Sequence, residues 1–273
     1  MANAVKLSEL SKRKRDMEED SDVDVSTTDS ESGQDAEEDE EIINIDFDFF
    51  NGNPAVDFHA LKNLLRQLFG QQESNRMQLS TLADIILQSP TTTIKTDGQE
   101  SDPYCFLSFV DYKEHRTSDY ARYLAKLDTR LETFLATIDS SEKTCALVLC
   151  ERLINMPVEV VPPLYNITLN DVSNSSSDGK HFDFYLVVSR KYEVSFDMDS
   201  DSDSEDESAK PRKRVKGAEL DYFHEEDRHM EKYAKICFQG PARKGVVPLY
   251  MVLDHEGLLR SIGDLEQAIA SWQ

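Results

Sequence analysis

Residues 144–165 read TCALVLCERLINMPVEVVPPLY. Cys145 to Cys150 is a short, continuous apolar run, the pattern of a strand covered on both faces. Beyond Pro157, the positions Val160, Val161, Leu164, Tyr165 and Ile167 suit a helix, with Pro162-Pro163 near its start, where proline is tolerated. A doubly covered strand running into a helix is the repeating unit of an α/β sheet.

The same alternation extends outward in both directions. On the N-terminal side, Ile43, Ile45, Phe47 and Phe49 alternate with polar residues as a half-buried strand, broken by Asn51-Gly-Asn-Pro. Asp57 is the expected N-cap of a helix carrying Phe58, Leu61, Leu65, Leu68 and Phe69, and Gly70 stops it. Leu79, Leu82, Ile85 and Ile86 mark a second, shorter helix before Pro90, and Tyr104 to Val110 a strand. Ser118 caps an expected five-turn helix from Tyr120 to Ile138. On the C-terminal side, strands are expected at Phe182–Ser189, Tyr233–Phe238 and Leu249–Asp254. A last helix from about Glu256 has Leu258, Leu259, Ile262, Leu265, Ile269 and Trp272 on one face. The expected fold is an α/β mixed sheet with flanking helices.

Two tracts fall outside this pattern. Residues 1–41 hold 5 bases and 15 acids with almost nothing to bury, and read as a disordered acidic tail. Residues 197–216, with 7 acids and 5 bases, read as a disordered loop interrupting a single domain over 42–273. Ser173 to Gly179 is a shorter polar turn.

Charge narrows the function. The 273 residues carry 53 acids against 30 bases, a formal net charge of −23, with a mean hydropathy of −0.55. This balance argues against direct nucleic-acid binding, which needs a basic footprint. No apolar stretch approaches the roughly 18 residues that span a bilayer, and the N-terminus has no apolar core of a secretory signal. The scattered Cys105, Cys145, Cys150 and Cys237 lie in apolar runs and read as free, buried thiols.

Catalytic motifs are wanting. No two glycines are closer than five positions, so a dinucleotide loop is absent, and the nearest phosphate-loop mimic, Gly240-Pro-Ala-Arg-Lys-Gly245, is followed by two valines where Lys and Ser/Thr are needed. His224-Glu-Glu-Asp-Arg-His229 misses the zinc register, because a five-residue step on a helix sets the imidazoles about 140° apart. It reads as a solvated polar segment before a strand. Glu151 and Arg152 stand at a strand end where α/β enzymes often place site residues, and read here as a structural ion pair. No catalytic, cofactor-binding or metal-ligating residue is assigned.

Two basic clusters stand out from the acidic background: Lys12, Arg13, Lys14 and Arg15, and Arg212, Lys213, Arg214 and Lys216. Short, dense Lys/Arg runs in accessible segments are candidate nuclear localisation signals. Ser26, Thr28, Ser32, Ser200, Ser202 and Ser204 each have Asp or Glu three residues on, the pattern of an acidophilic kinase, and are candidate phosphoacceptors.

The collinear set IINIDFDFF…DFHALKNLLRQLF (42–69), ALVLCERLINMPVEVVPPLY (146–165), FDFYLVVSRKY (182–192), YFHEEDRHMEKYAKICF (222–238) and VPLYMVLDHEGL (247–258) resembles the BCCIP family. The resemblance implies a fold similar to the Gcn-related (GNAT) acetyltransferases but lacking the acetyl-coenzyme A site. It implies a non-enzymatic chaperone or adaptor shuttling between nucleus and cytoplasm, serving nuclear export, protein transport, ribosome biogenesis and cell-cycle progression. The implied partners are a basic ribosomal protein of the large subunit, nuclear import and export receptors, and a phosphoinositide kinase. The alternatives are a scaffold for cell-cycle or DNA-repair proteins and a divergent acetyltransferase.

Overall fold

The computed structural model describes residues 45–176, 179–195 and 218–272. The acidic tail, the loop 197–216, both basic clusters and all six candidate phosphoacceptors lie outside the described residues.

Eight strands form one sheet: β1 (Asp48–Asn51), β2 (Thr91–Lys95), β3 (Cys105–Asp111), β4 (Cys145–Arg152), β5 (Phe184–Ser195), β6 (Ala218–Tyr222), β7 (Ile236–Gln239) and β8 (Val246–Asp254). Their order is β1-β2-β3-β4-β5-β8-β7, with β6 pairing β5. Every pairing is antiparallel except that of β4 with β5. The fold is thus mixed α/β with a mostly antiparallel sheet.

Helices cover both faces. Helix α1 (Phe58–Ser74), α2 (Leu79–Gln88), α4 (Asp119–Ala125) and α5 (Thr129–Ser140) bury Leu61, Leu65, Ile86, Leu124 and Leu131 against Phe106, Leu147, Leu149 and Leu186 of the sheet. Opposite them lie α6 (Val161–Ser175), α7 (Glu225–Tyr233) and α8 (His255–Trp272). There Phe109 meets Tyr165 and Tyr185 edge to face, with centroids 6.2 Å and 5.6 Å apart. A one-turn helix, α3 (Tyr112–His115), follows β3.

Several expectations need correction. The first strand lies at Asp48–Asn51, later than the alternation suggested. The five-turn helix is two, because the Asp128 carboxylate accepts from Arg130 N at 2.8 Å and starts α5 afresh. Asp57 makes no side-chain cap; it accepts from Asn53 N and from Lys95 Nζ at 2.7 Å, a fully buried ion pair. That pair explains a strand the apolar pattern missed: in β2, Thr91, Thr92, Thr93 and Lys95 are all buried. Gly70 does interrupt α1 (φ 68°), and the chain then resumes a short helix to Ser74. The polar segment at His224 is not solvated coil but the start of α7, which takes Tyr233 from the expected strand and leaves β7 to begin at Ile236.

Candidate functional site

The parallel pair β4–β5 organises two charged regions, one at each end. The strands pair only from Cys145↔Phe184 to Val148↔Val187, although β4 runs on to Arg152 and β5 to Ser195. From Lys191 onward β5 pairs with β6 instead. The strands therefore splay beyond Val148, and the connection from β6 to α7 enters the wedge.

Polar side chains fill it. The Glu151 carboxylate is fully buried and accepts from Arg190 Nη2 at 2.7 Å on both oxygens, and from Gln67 Nε2 at 2.9 Å. His224 Nε2 lies 3.0 Å from the same carboxylate. Arg152 pairs with Glu226, and Ser189 Oγ donates to Asp227. Arg190 also donates to the Gln67 carbonyl and stacks on Phe223 at 4.6 Å. Burial, together with the neighbouring Glu226 carboxylate, pushes the Asp227 carboxyl up to about 7. Burial opposes the charge of Arg152, but Glu226 more than offsets it and raises its pKa; for Arg190 burial wins and lowers it. Glu151 and Arg152 are structural, as the sequence suggested, but each has its own partner rather than the other. The sequence reading missed the cluster because charge alone marked the His224 segment as surface. The available signal was its helical spacing, which buries Glu226, Asp227, His229 and Met230 together.

At the other end the charges stay open. A cleft of about 1550 Å³ lies where β3 ends at Asp111, β4 and β5 begin after Thr144 and Asp183, and β8 ends at Asp254. Three aspartates organise its walls. Asp111 caps α3 through Lys113 N at 2.7 Å and Glu114 N at 3.3 Å. Asp254 accepts from Gly257 N at 2.9 Å at the start of α8, where any Cβ on residue 257 would stand 2.8 Å from the same carboxylate oxygen. Asp183 accepts from Lys143 Nζ at 2.7 Å and Thr144 N at 2.9 Å. Those bonds outweigh its partial burial and hold its carboxyl below the usual range. The cleft is also lined by Glu114, Glu142 and Glu256, giving six carboxylates against the two lysines Lys143 and Lys180.

Two histidines form a ledge in this cleft. The His181 and His255 rings stack with centroids 4.5 Å apart at 15°, and Tyr185 Oη lies 3.0 Å from His255 Nδ1. Burial and the neighbouring His181 lower the pKa of His255. Among the described residues His181 Nδ1 is buried without a hydrogen-bond partner, an arrangement that costs a polar atom about 1–3 kcal/mol unless it finds one. Among the described residues no cluster of His, Cys, Asp and Glu is arranged to hold a metal ion, and no helix is long and apolar enough to cross a membrane.

Against known proteins, the BCCIP family model matches residues 42–230. The chain belongs to the BCCIP family. It is 91% identical over its whole length to the whole of Protein BCP1 of Eremothecium gossypii. It is also 65% identical to Protein BCP1 of Saccharomyces cerevisiae, over 85% of this chain and 83% of that one. A solved structure, the crystal structure of BCP1 from Saccharomyces cerevisiae, aligns with a TM-score of 0.73 at 62% identity, covering 89% of this chain and 96% of that one.

Proposed function

We propose that this protein is a non-enzymatic nuclear chaperone and adaptor: it binds a basic ribosomal protein of the large subunit and supports its transport and assembly. The observation that carries the reading is charge left unneutralised. The chain has 23 more acids than bases, and in the open cleft the exposed Glu114 and Glu142 carboxylates have no partner among the described residues. A cationic client is drawn to such a surface from a distance, while nucleic acid is repelled. The basic clusters 12–15 and 212–216 supply nuclear import, with export returning the protein to the cytoplasm; reporters fused to each cluster test this. A phosphoinositide kinase is a further candidate for the export role, on the family resemblance alone.

Affinity purification from nuclear extract tests the main reading. Basic large-subunit ribosomal proteins should be recovered at low salt and lost steeply as salt rises. Their absence at low salt, or partners with no excess of Lys and Arg, overturns it and favours the scaffold.

The splayed parallel pair β4–β5 supports a second, structural reading, kinship with the acetyltransferase fold. The same wedge argues against a cofactor there, since Glu151, Arg152, Arg190 and His224 occupy it and bond to one another or to neighbours. Calorimetric binding of acetyl-coenzyme A would revive the enzyme alternative.

A further inference from the structure

The sequence offered no reason to single out the cleft between the β3–α3 turn, the loops entering β4 and β5, and the start of α8. Three features on that surface point to one kind of occupant. The first is size: about 1550 Å³ exceeds the 300–1,000 Å³ of ordinary small-molecule sites and suits a chain segment. The second is the state of its charges. Asp111, Asp183 and Asp254 are bound up in caps and turns and Glu256 pairs with Arg260. The exposed Glu114 and Glu142 carboxylates have no partner among the described residues. The third is the ledge, where among the described residues the buried His181 Nδ1 has no hydrogen-bond partner, beside a ring already engaged with Tyr185.

We propose that this cleft is the docking site for an extended, lysine- or arginine-bearing segment of a partner protein, whose cationic head is neutralised by Glu114 and Glu142. The proposal rests on the reading of the protein as a binder of basic clients and gives that reading an address. An anion would meet six carboxylates here.

A zero-length carbodiimide cross-link, which joins an amine to a carboxylate in contact with it, tests this on the full chain with a synthetic lysine-glycine peptide as probe. Cross-links should map to Glu114, Glu142 and Glu256. In the double variant Glu114→Gln/Glu142→Gln, peptide capture should fall about fivefold, as expected for two exposed ion pairs. Cross-links confined to 16–41 and 197–207 would overturn the cleft while leaving a basic-client chaperone standing. So would an intramolecular cross-link from Lys12 or Lys14 that fills the cleft and resists the peptide. No capture of the peptide anywhere on the chain would sink the cleft and the functional reading together.

Discussion

The two ends of the β4–β5 pair are built from the same residue types and used in opposite ways. In the wedge, Glu151 is closed against Arg190 and His224, Glu226 against Arg152 and Asp227 against Ser189, out of water. In the cleft, carboxylates outnumber lysines and stand at loops and helix starts. Charge that is neutralised within the fold specifies how the strands separate; charge that is left over is available to something else.

That contrast can be broken most sharply at Arg190. Arg190→Met strands the buried Glu151 carboxylate with Gln67, His224 and the Arg152 backbone N–H, and should cost about 3–5 kcal/mol in chemical denaturation. A loss below about 1 kcal/mol would mean the wedge is not a closed ionic unit. Asp227 supplies an intermediate effect with a defined sign. Its folded pKa is raised from 3.8 to about 7, so its contribution to stability is full below about pH 4 and is lost as pH rises through 7. Asp227→Asn removes that titration. Relative to the variant, the natural protein should lose about 2 kcal/mol between pH 5.5 and pH 8, and parallel denaturation profiles would refute the assignment. His255 has the reverse sign, its lowered pKa weakening the fold as pH falls below the ordinary imidazole range. The smallest effect belongs to the cleft. Glu114→Gln/Glu142→Gln should leave stability within about 0.5 kcal/mol of the natural chain, as exposed charges do. A large loss there would make those carboxylates part of the framework.

Legibility followed the same divide. Apolar periodicity located β3, β4, α1 and α8 because burial of large side chains drives them, and these carry most of the core. It passed over β2, whose threonines are buried on hydrogen bonds with Ile86, Ser108, Thr168 and Phe50 and whose Lys95 is buried against Asp57. It made one helix of α4 and α5, since both lay their leucines on the same face and only the Asp128 side chain separates them. The wedge was half visible: Glu151 and Arg152 were recognised as structural, but the arginine that neutralises Glu151 sits 39 positions away. The cleft had no signature at all. Its residues come from separate segments between Gln88 and Glu256, and no spacing rule connects segments that only the sheet brings together.

The pairing of Ser195 with Ala218 closes β5 and β6 in register on either side of residues 196–217. Entrance and exit of that segment are therefore adjacent strand positions, and doubling its length changes the entropy of closing it by only about 0.6 kcal/mol. Evolution can lengthen, shorten or rewrite this stretch almost without consulting the sheet. The basic cluster and the acidic run it carries stand at a margin of the sheet, while the architecture is held by other residues.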